Sequence, residues 1–304
     1  MKKPFILTFG SCGLDRIFKI DKDGTEKLVY AEEGKKNSHQ AVAAGRAGAY
    51  SMLVSFVGDD EVGKICLDSL KSTGIDTQFI KTIKGAATEL NHLYLSGNET
   101  EYTLKRFPST LPQRYFPETV KEYQEYILKS DCVILVSKQP KDFLIAMIDF
   151  CYENNIPVAL TNSYDRFDVN DENDLQTLRK VKFIACNFIE SKMTTKMEDP
   201  LKMLKLLPNM LITSSDGVWF CDENGKSCFE DSVPPDEVVE TNGAGDTFIG
   251  NFVVYYAEGK TKVECVRRSM CASTIEISKL GWINAVPFRS ETDKLYFKHY
   301  LIKN

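Results

Sequence analysis

Short apolar runs alternate along the 304-residue chain with longer segments in which apolar residues recur at helical spacing. The short runs predict buried strands over residues 5–9, 51–57, 132–136, 156–160, 183–186 and 209–213. The longer segments predict helices over residues 40–48, 62–73, 141–154, 247–258 and 262–280. This alternation favours an α/β fold, a three-layer sandwich whose mostly parallel central sheet has helices on both faces. Ligands in such folds bind at the carboxyl ends of the strands.

Two segments break this alternation. The stretches at roughly 16–34 and 88–106 are rich in Tyr, Thr and charged residues, and they contain turn sequences at 21–24 and 96–99. They predict hairpins outside the main sheet that together form a small β-lid over the ligand site. Irregular edge strands are the alternative interpretation.

Composition narrows the class of protein. The net charge is -5 and no basic stripe is present, which argues against a nucleic-acid partner. No apolar stretch approaches the ~18 residues of a membrane span. The nine cysteines are scattered, several within apolar runs, and the three histidines are dispersed, so we expect reduced thiols, a cytoplasmic location and no metal cluster. Because no repeat or linker divides the chain, we predict one domain over residues 1–304.

The most informative segment is Glu-Thr-Asn-Gly-Ala-Gly-Asp at residues 240–246, which runs directly into an apolar helix. The first N–H groups of a helix are unpaired and bind anions, and Asp246 stands on that first turn as a proton acceptor. Phosphoryl transfer needs both an anion-binding site and a proton acceptor. Ordinary helix capping is the alternative, and no Lys-Ser/Thr pair follows the glycines as it would in a Walker A loop.

Several segments, taken in chain order, resemble the motifs of the ribokinase-like carbohydrate kinases. They are a first strand leading to Asp15, a helix of small residues at 40–49, Gly-Asp-Asp-Glu-Val-Gly at 58–63, Asn-Phe-Ile-Glu at 187–190, a strand and turn at 210–217, and the glycine turn at 240–246. The resemblance spans nearly the whole chain. It implies a kinase that uses ATP and Mg²⁺ to phosphorylate a hydroxyl of a sugar or sugar derivative.

The resemblance also implies roles for individual residues. Asp246 would be the general base, with the amides of Gly243, Ala244 and Gly245 as an anion hole. The implied substrate ligands are Asp15, Gly34, Lys36, His39 and Lys138; the implied nucleotide ligands are Asn187, Thr213 and Gly217; Glu190 would act indirectly on Mg²⁺; and Glu240 and Asn242 adjoin a possible K⁺ site. In relatives the lid often joins two subunits, so a homodimer is expected.

The chain departs from the family pattern mainly at the sugar end. Lys35 and Asn37 replace glycines of the Gly-Gly-Lys-Gly-Ala-Asn box, and His39 replaces its asparagine. Lys138 stands where ribokinases have a glutamate. The added cations suggest an anionic acceptor such as a sugar phosphate; lysines that point into solvent are an equally good interpretation.

Other functions stay open at this point. Asn242 is the residue that adenosine kinases carry, so a nucleoside acceptor is one alternative. A non-catalytic relative that binds a sugar or nucleotide is another, because the glycine box is altered. A dinucleotide dehydrogenase fits poorly, since no Gly-x-Gly-x-x-Gly turn follows the first strand.

Overall fold

Strands and helices alternate through most of the computed structural model, which describes residues 2–302 except residue 22, residues 97–101 and residue 113. The strands are β1 Phe5–Phe9, β2 Gly13–Ile20, β3 Glu26–Glu33, β4 Tyr50–Gly58, β5 Ile80–Ile83, β6 Glu89–Ser96, β7 Tyr102–Phe107, β8 Cys132–Val136, β9 Val158–Thr161, β10 Phe183–Asn187, β11 Met210–Thr213, β12 Gly217–Cys221 and β13 Ser227–Asp231. The α-helices are α1 Lys36–Arg46, α2 Glu61–Ser72, α3 Glu118–Glu122, α4 Gln124–Lys129, α5 Lys141–Glu153, α6 Glu172–Lys180, α7 Phe188–Thr195, α8 Pro200–Leu206, α9 Ala244–Ala257, α10 Lys262–Ile277 and α11 Arg289–Tyr296.

The main sheet has the order β13-β12-β11-β10-β9-β8-β1-β4-β5 within the described residues. Strands from β11 to β5 in this order run parallel, and the β12–β13 hairpin adds two antiparallel strands at one edge. This arrangement confirms the predicted α/β class. Strands β4 and β5 lie on one side of β1, and β8 to β13 lie on the other, so the strand order reverses between β1 and β8. Ligands of open parallel sheets bind at such a reversal point.

Burial on both faces explains the continuous apolar runs. In β1, Phe5 and Leu7 pack into one hydrophobic cluster, whereas Ile6 points into the cluster on the opposite face. Helix α5 contributes Phe143 and Leu144 to the first of these clusters. A strand covered on both faces needs apolar residues at every position rather than at alternate ones.

The two irregular segments form a second sheet of order β3-β2-β6-β7. Each predicted hairpin is present as an antiparallel pair, and β2 pairs with β6 in parallel to join them. We call this four-stranded sheet the lid. Of the two predicted turns, Gly24 closes the first with φ +83°. Residue 22 of that turn and residues 97–99 of the second lie outside the described residues.

Several helix boundaries differ from the prediction. Helix α1 begins at Lys36 instead of residue 40, because Lys35 is extended and the Asn37 side chain donates 2.8 Å to the carbonyl of Phe9, which fixes the first turn. Helix α9 begins at Ala244 instead of residue 247. Helix α10 ends at Ile277, before the predicted 280.

The remaining sequence expectations concern thiols and membranes. All nine cysteines are free thiols, and every one except Cys228 is buried. Across the described ranges, the helices lack the combination of length and apolar character that a bilayer crossing needs.

Helices α1 and α9 approach each other closely through small residues. A Cβ added at Gly250 of α9 would lie 2.6 Å from the Cβ of Ala43 and 2.7 Å from the carbonyl oxygen of Gln40. Real Cβ atoms do not approach that closely, so only glycine permits this helix separation.

We expect Gly250→Ala to lower the free energy of unfolding by about 1–3 kcal/mol, the usual cost of overpacking, even though Ala favours helix by ~1 kcal/mol. Urea denaturation measures this change. Gly45→Ala in α1 is the matched control, because its Cβ would meet side chains rather than backbone, those of Ile75 at 3.1 Å and Ser51 at 3.7 Å. A Gly250→Ala protein as stable as the wild type would contradict the packing argument.

Candidate active site

A cavity of about 600 Å³ lies between the lid and the ends of β1 and β8. It brings together eight of the residues singled out in the sequence: Asp15, Gly34, Lys36, His39, Lys138, Asn242, Gly243 and Asp246. These residues come from the lid, from α1, from the loop after β8 and from the start of α9. The position matches the expected binding region of a parallel sheet at its reversal point.

Asp15 presents a buried carboxylate from the lid side of the cavity. Its Oδ1 accepts a 2.8 Å hydrogen bond from Nδ2 of Asn91, the residue beside it in the parallel β2–β6 pair. Burial raises the pKa of Asp15 to about 6, against the opposing effect of the Lys35 charge. Asn91 was not identified from the sequence, because its role follows from lid pairing that no local pattern shows.

Gly34 leaves room for two larger side chains. A Cβ at this position would lie 2.1 Å from the indole of Trp282 and 2.5 Å from the carboxyl group of Asp15. The glycine therefore allows Trp282 and Asp15 to meet at the wall of the cavity. Trp282 was also missed in the sequence, although it directly follows the helix-ending segment at Gly281.

Asp246 projects toward the cavity from the first turn of α9. Its Oδ1 accepts a 2.7 Å hydrogen bond from Nε2 of Gln40, a fully buried residue of α1. Nε2 of Gln40 also lies 3.3 Å from Oγ1 of Thr161, at the end of β9. The α1–α9 contact thus sets the orientation of the Asp246 carboxylate.

The glycine turn before Asp246 has the geometry of an anion site. Gly243 has φ +92°, a conformation that favours glycine, and a Cβ there would collide with His39 and Glu276. Ala244 and Gly245 form the first helical positions, where N–H groups have no partner within the helix. Among the described residues, no atom lies within 4 Å of a Cβ built at Gly245, so this face of the turn is open.

A buried ion pair supports the turn from behind. Nε2 of His39 lies 2.6 Å from Oε1 of Glu276, and both side chains are almost fully buried. Burial alone would lower the pKa of His39, but the Glu276 carboxylate raises it above its ordinary value. Nε2 is also 3.3 Å from Oγ1 of Thr247. His39 therefore borders the cavity while this nitrogen is engaged by protein groups.

Glu33 connects the lid to the start of α1. Its carboxylate accepts hydrogen bonds from the backbone N–H of Gly13 at 3.1 Å, the N–H of Lys35 at 3.3 Å and the hydroxyl of Ser38. Burial raises the pKa of Glu33 to about 7. Lys35, one of the two residues that replace box glycines, pairs with Glu89 of β6 at 2.6 Å.

Lys36 lies close enough to Asp246 and Glu190 to feel the charges of both carboxylates. The Lys36 ammonium is 3.8 Å from Glu190 Oε1, and although burial lowers its pKa, the carboxylates of Asp246 and Glu190 raise it more. Glu190 and Asn187 form a capping box at the start of α7. Oε1 of Glu190 also accepts from Nδ2 of Asn162 at 3.1 Å.

These oxygens suit a magnesium ion that is held mainly by phosphates and water. The buried Oδ1 of Asn162 has no partner among the described residues, and Glu190 supplies a carboxylate beside it. Mg²⁺ takes one or two protein carboxylates, substrate phosphates and several waters. The described ranges contain no cluster of three or more metal-binding side chains that would form a closed cage.

Glu240 does not have the environment of a cation ligand. One of its oxygens accepts from the Trp282 indole at 2.9 Å and from Asn242 at 3.2 Å. The other accepts from the Tyr30 hydroxyl at 3.1 Å and from the Gly281 N–H at 3.4 Å. A carboxylate surrounded by donors has no lone pair directed at a metal. These contacts of Glu240 give no support to its K⁺ role, and the K⁺ role that the resemblance implies for Asn242 stays a prediction.

As far as the structure describes it, the cavity wall includes none of the three predicted nucleotide ligands, Asn187, Thr213 and Gly217. Thr213 ends β11, and its hydroxyl lies 3.4 Å from the carbonyl of Cys186. At Gly217 a Cβ would lie 2.1 Å from the carbonyl of Glu230, so the pairing of β12 with β13 requires glycine here. Their nucleotide roles stay predictions.

Comparison with known proteins agrees with this architecture. Residues 6–289 match the family described as "pfkB family carbohydrate kinase". Ribokinase of Bacillus subtilis is 27% identical over 299 residues, covering 95% of this chain and 98% of that protein. Deoxyribokinase of Salmonella typhimurium is 23% identical, with 84% of each chain covered.

Solved structures share the fold. The Arabidopsis thaliana ribokinase complexed with ribose and ATP superposes with a TM-score of 0.81 at 21% identity, covering 97% of this chain and 99% of that one. Adenosine kinase of Sinorhizobium meliloti has a TM-score of 0.79 at 18% identity, with 96% and 98% covered. The family match covers most of the chain, and the chain belongs to the pfkB family of carbohydrate kinases.

Proposed function

We propose that this kinase transfers the γ-phosphoryl group of ATP to a hydroxyl of a sugar or sugar derivative bound between Asp15 and Asp246. The observation that carries the proposal is the 2.7 Å hydrogen bond that fixes Asp246 toward the cavity it shares with Asp15. ATP is bound in the related Arabidopsis ribokinase complex, and the open turn beside Asp246 would supply the matching anion site.

Asp246 would act as the general base. Gln40 holds one oxygen of the Asp246 carboxylate, which leaves the other carboxylate oxygen free to accept a proton. That proton would come from the acceptor hydroxyl as the hydroxyl oxygen attacks phosphorus. Asp15 would orient the acceptor by accepting hydrogen bonds from its other hydroxyls. In this scheme the lid supplies the positioning carboxylate and α9 supplies the reactive one.

The charge that develops on the phosphoryl group would be balanced by the turn and by Lys36. The N–H groups of Gly243, Ala244 and Gly245 are placed where anions bind at helix starts. The raised pKa of Lys36 keeps its ammonium charged beside Asp246. When bound, Mg²⁺ neutralises phosphate charge, and Glu190 with Asn162 would hold it.

The acceptor class follows in part from relatives. Ribose is present in the Arabidopsis ribokinase structure, and inosine in the Burkholderia thailandensis nucleoside kinase structure. A nucleoside acceptor is the second candidate, because Phe56, Leu93 and Leu111 give the cavity an apolar wall on which a base could stack. ADP formation with sugars but not with nucleosides would separate the two.

We also propose a lid-mediated homodimer in a reducing, cytoplasmic compartment. The free thiols support the compartment. The outer lid exposes Leu28 by 49%, Val29 by 44% and Phe107 by 38%, an apolar surface that a second copy of the lid would cover.

Asp246→Asn should reduce kcat by about 10²–10⁴-fold, the usual contribution of a general base. ATP affinity, measured by calorimetry, should stay unchanged because the turn amides remain. Asp68→Asn, on the exposed face of α2, is the matched control and should leave kcat unchanged. Wild-type turnover in Asp246→Asn would contradict the assignment of the base.

Acceptor binding should weaken as pH falls through about 6. The pKa of Asp15 is about 6, and below it the protonated carboxyl loses hydrogen-bond acceptor capacity. The pH dependence of the acceptor KM at saturating ATP measures this effect. Asp15→Asn should raise that KM by about 10–100-fold and remove the inflection. An unaltered inflection in the variant would assign the titration to another group.

The dimer predicts a change in sedimentation. Wild-type protein should sediment as a dimer, and Val29→Lys should shift it toward monomer because a charge replaces apolar surface in the lid contact. Leu128→Lys, at a residue of α4 with similar exposure of 47%, is the control and should stay dimeric. A monomeric wild type at micromolar concentration would refute the lid dimer.

A further inference from the structure

The cationic residues that line the cavity divide into paired and unpaired groups. Lys35 and Arg106 lie 2.6 and 4.0 Å from Glu89, and Lys36 lies 3.8 Å from Glu190. Arg114 and Lys138 also line the cavity, but within the described ranges they form no ion pair. Two positive charges in one cleft without a protein anion provide a site for an anion from a ligand.

Gln139 gives an independent indication at the same place. Gln139 is among the residues that line the cavity, and only 7% of its surface is exposed. Both the amide nitrogen and the amide oxygen are buried, and neither has a partner among the described residues. An unsatisfied buried polar group costs about 1–3 kcal/mol, so such a group at a cavity wall points to a ligand that completes it.

Arg114 shows the same unsatisfied state. Its Nε is buried without a partner in the described part of the chain. The neighbouring Tyr115 hydroxyl lies 2.6 Å from the carbonyl of Gly10 and 2.8 Å from that of Val54, which holds this segment against the end of β1 and the middle of β4. The guanidinium fork matches the paired oxygens of a carboxylate or phosphate.

The loop that carries Lys138 and Gln139 is held rigidly. Arg166 donates from Nε to the carbonyl of Gln139 at 3.0 Å and from Nη2 to the carbonyl of Lys138 at 3.1 Å. These two hydrogen bonds fix the backbone of the loop. A preorganised donor set loses little conformational entropy when it binds.

We propose that the acceptor is an anionic sugar whose carboxylate or phosphate is bound by Arg114, Lys138 and Gln139. The inference rests on the proposed kinase function and narrows its substrate class. It also distinguishes among the lysines that the sequence singled out: Lys35 and Lys36 are engaged by carboxylates, and Lys138 is available. The phosphorylated hydroxyl would lie at the other end of the acceptor, near Asp246.

Calorimetric titration tests the proposal, with D-ribose, D-ribonate, ribosyl phosphate and adenosine as probes in the presence of a non-hydrolysable ATP analogue and Mg²⁺. Wild-type protein should bind one of the two anions at least about 10-fold more tightly than ribose. Ribonate and ribosyl phosphate distinguish a carboxylate ligand from a phosphate ligand. Equal affinity for ribose, or tighter binding of adenosine than of either anion, would overturn the proposal.

Variants locate the anion site. Arg114→Gln and Lys138→Gln should each reduce the ratio of anion affinity to ribose affinity by about 10-fold. Lys64→Gln removes the same charge from the exposed surface of α2 and should leave the ratio unchanged. Thermal melting shows that each variant is folded. A ratio that stays at the wild-type value in both cavity variants would place the anion elsewhere and refute the assignment.

ADP release separates this proposal from the one on which it rests. Charge-dependent binding without ADP formation would keep the anion site and refute the kinase chemistry. ADP formation with ribose, together with no preference for anions, would keep the chemistry and refute the anion site.

Discussion

The close contact between α1 and α9 is the constraint on which the candidate active site depends. Gly250 permits this contact, and across it Gln40 reaches Asp246 while His39 reaches the underside of the Gly243 turn. The small residues of α1 are therefore more than core filling. They bring α1, which begins near the proposed acceptor site, to within hydrogen-bond distance of α9, which carries the proposed base. Any change in the separation of these two helices therefore also changes the geometry of the groups proposed to react.

Three buried or half-buried carboxylates organise the lid. Glu33 binds N–H groups of β2 and of the residue before α1, and Glu240 binds the hydroxyl of Tyr30. Glu32 accepts from the N–H of Trp282 at 2.9 Å. Each carboxylate joins a lid strand to a different part of the main body. The donors around Glu240 make it a structural acceptor between the lid and the main body.

The fold and the placement of Asp246 at the start of a helix were predictable because their signals are local. Continuous apolar runs identified the buried strands, and the glycine turn before Asp246 identified the helix start. The rest depends on contacts between residues far apart in the chain. Asn91 meets Asp15 only because β2 pairs with β6, and Glu276 meets His39 only after α10 packs on α9. No sequence motif identifies Arg114 or Gln139, and they are brought together only by lining the same cavity.

The parallel pairing of β2 with β6 has an evolutionary consequence. It places Asp15 and Asn91 on a sheet that shares no strand with the main sheet, whereas Asp246 belongs to α9. In the proposed scheme, substitutions in the lid can therefore change which molecule is recognised without disturbing the proposed base. Gene duplication followed by drift in this small sheet would then offer a short mutational route from one acceptor to another while α9 stays intact.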